Sequence, residues 1–399
     1  MIKKKIFNDP IYGLMSFEEE VLYKIIDHPY FQRLRRISQL ALSHYVFPGA
    51  QHTRFQHALG ALHLMTQTLQ LLRSKGIFIS DEESRGVSIA ILLHDIGHGP
   101  FSHALEGMLL PVSHEIISFQ VMEIIEKDLG EDFAVAKMIY RNEYPRKFLN
   151  QLVSSQLDID RMDYLTRDSF FSGVAEGVIG YDRIIKMFNV VDDILVVEEN
   201  GIYSVENFLV ARKLMYWQVY LHKAAIASEQ MLVSAVKRVS WLIQHDSSFQ
   251  CSEVLKELIS YPYTTILDKN IIRKYLELDD VDILYIIKKG VFHTDKILQI
   301  LCKNLLERNL FKIHFTSEGS LDFSDDDCKE QIKNELSIRN EDLGYFYIEK
   351  KETFLEYNRL KDEIMILLKN GKVIPFSIAN PDFCEKKSIT KEGICYWVK

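Results

Sequence analysis

The sequence predicts a mainly α protein that ends in a small α+β appendage. Three observations predict it. Apolar residues recur at helical spacing through most of the chain up to residue 309; from about 310 the pattern changes to short alternating runs; and eight of the thirteen histidines crowd between positions 44 and 114. The boundaries read from these shifts are a core over 1–245, a helical extension over 246–309 and the appendage over 310–399.

In order, Phe17, Val21, Leu22, Ile25 and Ile26 follow helical spacing, and Pro29 breaks the run. Tyr30 to Leu42 reads as a second helix, apolar at Phe31, Leu34, Ile37 and Leu40 and basic at Arg33, Arg35 and Arg36. After a Pro48-Gly49 loop, a long helix runs on from His52 to Leu72, and Glu83 to Leu93 forms the next one. Residues 116–150 read as helical, and Ser154 or Ser155 caps a helix that runs to Asp168. Asn200-Gly201 between apolar alternations signals a hairpin over Leu195 to Ser204; Glu206 to Ile243 is one long helix or a helix pair, and further helices fill 250–309. Beyond 309, Phe311 to Phe315 and Gly344 to Ile348 read as strands. The acidic run Asp325-Asp326-Asp327 caps a helix over Cys328 to Leu336, and Asn370-Gly371 turns a second hairpin.

Composition narrows the function. A net charge of -8 argues against a broad nucleic-acid-binding surface. The five cysteines show no C-x-x-C spacing, which fits reduced thiols in the cytoplasm. The basic N-terminus has no apolar stretch behind it, and no apolar run approaches a membrane span, so a cytoplasmic protein is expected.

The chemistry concentrates in His94-Asp95-Ile96-Gly97-His98-Gly99-Pro100-Phe101-Ser102-His103, at the end of an apolar helix. His94-Asp95 offers one metal ion a nitrogen and an oxygen. His57 and Asp160 from two other helices would complete two nitrogens and two oxygens, a mix that suits Mn, Fe, Zn, Mg or Ni and leaves positions open. A metal-held water attacks well near neutral pH. Arg54, three residues before His57, would take phosphate oxygens in bidentate fashion. His103 and Glu106, three apart, make a general-acid dyad, and His98 and His114 add contacts to charged oxygens. Asp160, Tyr164 and Asp168 share one helix face; Arg212, Tyr216 and Tyr220 share another. Either face taken alone could be a solvated or a core stripe. The joint pattern implies hydrolysis of a phosphate ester.

These residues carry a resemblance. Asp9-Pro10-Ile11-Tyr12-Gly13, Phe31-Gln32-Arg33-Leu34-Arg35, Phe47-Pro48-Gly49-Ala50, Arg54-Phe55-Gln56-His57, the His94–His103 stretch, Asp158-Ile159-Asp160-Arg161-Met162-Asp163-Tyr164 and Tyr220-Leu221-His222-Lys223 occur in order. The chain resembles the HD-domain phosphohydrolases, in the branch of the deoxynucleoside triphosphate triphosphohydrolases. The resemblance implies an HD-domain helical core and release of a deoxynucleoside with intact triphosphate by attack at the α-phosphorus. It implies His57, His94, Asp95 and Asp160 as metal ligands and His103 with Glu106 as catalytic dyad, with His98 and His114 beside the phosphates. Arg54, Arg161, Tyr164, Asp168, Arg212 and Tyr220 would hold triphosphate and sugar, Tyr164 disfavouring a ribose hydroxyl, and Gln39 and Leu40 would lie by the deoxyribose and base. Asp27, Gln32 and Arg35 resemble a guanine-recognising activator site. Tyr12 stands where relatives often carry His, and Arg161 where they often carry Lys. A homo-dimer or homo-tetramer is implied. The alternatives are a phosphatase or phosphodiesterase acting on another nucleotide, or a nucleotide sensor with a residual metal site.

Overall fold

The computed structural model describes residues 5–246, 249–261, 268–315, 325–354, 363–384 and 389–397. The mainly α architecture is as predicted. A hairpin of β1 (Phe7–Asp9) and β2 (Gly13–Met15) leads into α1 (Glu20–Asp27), which buries Val21, Leu22, Ile25 and Ile26. The helix α2 (Pro29–Arg33) is shorter than the expected Tyr30–Leu42 run. After a 3-10 turn over Leu34–Arg36 the backbone extends. There Ile37 O accepts from Arg54 N at 3.0 Å and Gln39 N donates to His52 O at 3.0 Å. Pairing with 52–54 satisfies backbone groups that a continued helix would have used internally.

Three helices position the site. Helix α3 (Arg54–Ser74) opens on a capping box between Thr53 and Gln56, α4 (Asp81–Leu93) on one between Ser80 and Glu83. From Gly86 to Leu93, α4 is buried at every position, and His94 stands at its C-cap. The expected helical stretch 116–150 divides into α5 (His114–Leu129), α6 (Ala134–Tyr140) and α7 (Lys147–Val153). Gly130, at φ 65°, ends α5 in the left-handed conformation that glycine adopts without strain. Asp158 caps α8 (Ile159–Ser172), accepting from Arg161 N at 2.7 Å. This places the cap beyond both Ser154 and Ser155, the two expected from sequence.

Helix α9 (Tyr181–Met187) precedes a hairpin of β3 (Phe188–Val191) and β4 (Ile194–Glu198). A hairpin was expected here with Asn200-Gly201 at its turn. The turn is instead Asp192-Asp193, both at positive φ (50° and 58°), as a two-residue hairpin loop requires. Asn200 and Gly201 lie in a 3-10 turn before α10 (Ile202–Met215). A π-helical turn over Tyr216–Tyr220 separates α10 from α11 (Lys223–His245), so the Glu206–Ile243 region is a helix pair.

Helices α12 (Glu253–Ser260), α13 (Lys269–Tyr275), α14 (Asp280–Gly290) and α15 (Lys296–Leu306) follow. Strand β5 (Lys312–Phe315) forms where expected, and α16 (Asp325–Leu336) starts in the acidic run. Residues expected to begin a strand at Gly344 belong to a 3-10 turn over Asn340–Tyr345; β6 (Tyr347–Phe354) begins after it. The Asn370-Gly371 hairpin joins β7 (Met365–Leu367) to β8 (Val373–Pro375), and β9 (Ile389–Tyr396) pairs between β5 and β6. Strand β7 also runs parallel to β4, extending the β3–β4 hairpin into a four-stranded sheet. Among the described residues, no helix is long and apolar enough to cross a membrane.

Helix α3 approaches α8 so closely that a methyl group on Gly60 would stand 2.0 Å from Asp163 Oδ1 and 2.2 Å from Arg167 Nη2. Substituting Gly60→Ala should therefore cost about 2 kcal/mol or more of stability through overpacking against a buried ion pair, read from urea unfolding midpoints.

Candidate metal centre and active site

The first turn of α3, the end of α4 and the first turn of α8 bring His57, His94 and Asp160 to one point. His57 Nε2 lies 3.4 Å from His94 Nε2, and Asp160 Oδ1 lies 3.1 Å from the first and 3.2 Å from the second. Asp95 stands beside them, Oδ1 3.4 Å from His94 Nε2 and Oδ2 3.7 Å from His57 Nε2.

The hydrogen bonds behind these rings fix what they offer. His57 Nδ1 donates to Asp163 Oδ2 at 2.7 Å, and His94 Nδ1 donates to Ile91 O at 2.6 Å. Carboxylate and carbonyl only accept, so both Nε2 atoms present lone pairs to each other and to Asp160. Facing lone pairs at this range repel unless a cation lies between them. The spacings fall within the ligand–ligand edges of about 2.8–3.6 Å that bonds of about 2.0–2.2 Å produce in octahedral to tetrahedral sites. The donor set fits a divalent metal ion, and Asp163 orients the imidazole from behind. Without a metal, a proton must take its place. Burial works against charge on His57, but the hydrogen bonds to Asp160 and Asp163 prevail and hold its imidazole up at about 10.

A second cluster joins His98, His103, His114 and Glu106. Glu106 accepts from His103 Nδ1 at 2.9 Å and, with its other oxygen, from His114 Nδ1 at 2.6 Å and His114 N at 2.9 Å. The hydrogen bond from His103, ahead of the opposing effect of burial, holds the Glu106 carboxyl well below its usual range. It is therefore a permanent acceptor that leaves Nε2 of both rings for proton transfer or anion contact. Three histidines this close could suggest a second metal site. Ring geometry argues otherwise: His98 and His114 stack with centroids 3.8 Å apart and planes 17° from parallel. A lone pair lies in its ring plane, so two stacked rings do not converge on one ion. Burial, then the Arg54 charge, holds His98 well below the usual imidazole value, which keeps it neutral.

Both clusters open into a cavity of about 350 Å³ walled by Gln39, Leu40, Arg54, His98, His103, His114, Asp160, Tyr164, Asp168 and Tyr220, and also by Tyr216 and Glu229. Asp168 is held on both oxygens, by His52 Nε2 at 2.7 Å and by the Tyr220 hydroxyl at 2.6 Å. Gln39 Oε1 is buried and meets no donor among the described residues. Arg54 differs from the bidentate phosphate clamp expected of it: Nη1 is paired with Asp95, and Nε donates to Ser102 Oγ at 2.7 Å. Arg161 and Arg212 are not part of the wall; their charges bear on the Tyr164 hydroxyl from behind. On the outer surface, Arg35 Nε donates to Gln32 Oε1 at 2.8 Å, Gln32 Nε2 donates to Ile26 O at 2.7 Å, and Asp27 pairs with Lys5. The guanidinium of Arg35 lies 3.5 Å from the centre of the Phe55 ring.

Sequence reading missed Asp163, His52 and Glu229 as contributors to the site. Asp163 carried a signal, standing three residues after Asp160 on the same helix. For His52 the linking contact spans 116 positions, which no local pattern encodes.

Two outcomes follow from the geometry. Asp163→Ala should weaken divalent-metal affinity by about 10–100-fold, measured by titration calorimetry, because His57 loses the partner that sets its tautomer. His57 is raised from 6.5 to about 10, so in the metal-free protein its proton contributes stability that is complete below 6.5 and is lost as pH rises through about 10. Melting temperatures of chelator-treated protein should fall across that window, and apparent metal affinity should rise, since the ion must displace the proton.

Comparison with known proteins agrees with this arrangement. Residues 54–168 match the HD domain and residues 179–256 the HD-associated region. The chain is 32% identical over 320 residues to YwfO of Bacillus subtilis, covering 78% of this chain and 72% of that protein. It is 29% identical over 311 residues to the deoxynucleoside triphosphate triphosphohydrolase SAMHD1 of Danio rerio, covering 65% of this chain and 50% of that one. A crystal structure of a phosphohydrolase from Bacteroides thetaiotaomicron superposes with a TM-score of 0.91 at 42% identity, over 99% of this chain and 100% of that one. With the metal-type cluster, the histidine pair on Glu106 and these likenesses together, the chain belongs to the HD-domain phosphohydrolase family.

Proposed function

We propose that this protein hydrolyses deoxynucleoside triphosphates to deoxynucleoside and triphosphate. The observation that carries the reading is the shared cavity: Asp95 and Asp160 of the metal-type cluster, the Glu106-backed histidines and the Asp168–Tyr220 wall all line one space of about 350 Å³. The SAMHD1 relatives, named for this activity, support it.

His57, His94, Asp95 and Asp160 would hold a divalent ion, which when bound would supply positive charge and acidify water. The chain's own residues do the rest. As water adds to the α-phosphorus, losing a proton to solvent, and the bond to O5′ breaks, the protonated His103 ring delivers its Nε2 proton to the departing oxygen. Glu106, ionised and bonded to Nδ1, stabilises the ring while it carries that proton. His98 and His114 face the triphosphate oxygens. The unpaired Gln39 Oε1 accepts from a sugar hydroxyl, and Tyr164 packs where a 2′-hydroxyl would project. Asp27, Gln32 and Arg35 serve as a guanine-nucleotide activator site, and the protein works as a homo-oligomer.

Purified protein with Mn²⁺ and each dNTP, with and without GTP, tests this by ion-exchange chromatography of the products. Deoxynucleoside and intact triphosphate are expected, with turnover lowered about 10²–10⁴-fold by His103→Ala. Monophosphate or inorganic phosphate as product would assign the site to another nucleotide chemistry, and GTP-independent rates would remove the activator role.

A further inference from the structure

The loop that carries His98 and His103 is held from outside both matched family segments, which end at residue 256. Four contacts tie it to the junction of α13 and α14. Arg33, buried, donates from Nη1 to His98 O at 2.8 Å and from Nε to Leu278 O at 2.7 Å. The Tyr275 hydroxyl lies 3.4 Å from Gly97 O, and a methyl group on Gly99 would stand 2.2 Å from it. The fourth contact is Asp280. One of its oxygens accepts from Phe101 N at 2.7 Å and the other from Ser38 N at 2.8 Å. Asp280 is 6% exposed.

Phe101 and Ser102, immediately before His103, both adopt left-handed backbone at φ 53° and 48°, which side chains other than glycine resist. Something must hold them there. The Ser102 hydroxyl accepts from Arg54 Nε and donates to Ser38 O at 3.1 Å, so Ser38 joins the same knot and is followed directly by Gln39 of the pocket wall. An acidic residue in a first helical turn often serves only its own helix. Here that end is already served: Asp279 accepts from Val281 N at 3.0 Å and Asp282 from Asp279 N at 2.8 Å. Both oxygens of Asp280 are spent on other segments.

We propose that Asp280 is a positioning residue of this active site, its carboxylate spanning the Phe101 and Ser38 amides so that His103 and Gln39 are set relative to each other. The proposal rests on the reading that His103 works in this cavity. Asp280→Asn in the full-length protein tests it, because the amide keeps one acceptor and turns an N–H donor toward the other amide. Hydrogen exchange read by mass spectrometry should speed up roughly tenfold or more over 97–103 and 37–42, with α14 unchanged. With the dNTP that is turned over, kcat should fall about tenfold or more while KM stays within about twofold and metal content is unaltered. Asp282→Asn, the control, should loosen α14 and leave kcat as it is. Exchange changes confined to α14 in Asp280→Asn, with unchanged kcat, would overturn the proposal. If the wild type turns over no dNTP, the triphosphohydrolase reading fails and the exchange result alone decides for or against the clamp. Should Asp280→Asn not fold, Asp280→Glu, which displaces both oxygens by one methylene, is read by the same measurements.

Discussion

The site depends on one buried carboxylate. Asp163 accepts from His57 on one side and from Arg167 on the other, Nε at 3.0 Å to Oδ2 and Nη2 at 3.0 Å to Oδ1. Arg167 continues to Asp9 at 2.8 Å, so the N-terminal hairpin, α8 and α3 meet through a single charged chain. All four groups are out of water, and each would be costly there unpaired. Paired, they are over-determined: no one of them moves without stranding another. The absence of a side chain at Gly60 lets the two helices close around this chain.

The two histidine groups owe their different characters to what stands behind them. Carboxylates face His57 on both nitrogens, so its environment draws a cation. His98 is buried and feels the Arg54 charge, which together outweigh the Asp95 carboxylate, so its environment favours the neutral form. Imidazoles from separate segments that meet beside one cavity thus differ in electrostatic character, one environment favouring a cation and the other a neutral ring.

Much of this was legible in the sequence. Helical periodicity located the helices because most bury one face, and the metal-type cluster was legible because His57, His94, Asp95 and Asp160 are of types a core does not need. What stayed hidden depended on distant pairing. The Tyr30–Leu42 pattern is helical in period, but residues 37–39 bond to 52–54. Asn200-Gly201 has hairpin chemistry, but Asp192-Asp193, also able to adopt left-handed backbone, took the turn. Arg54 reads as a phosphate ligand, but its pairing with Asp95 and Ser102, 41 and 48 positions on, is not legible in the sequence, and Asp280 is silent because its partners come from two separate stretches far upstream.

The parallel pairing of β7 with β4 joins residues 365–367 to 196–198. Such a contact closes a loop of well over a hundred residues, and parallel strands gain nothing until both are present. During synthesis the β4 edge that β7 covers therefore stays open until residues 365–367 have left the ribosome. The sheet is a late-closing seam, and until it closes the β4 edge is a template on which other strands could pair.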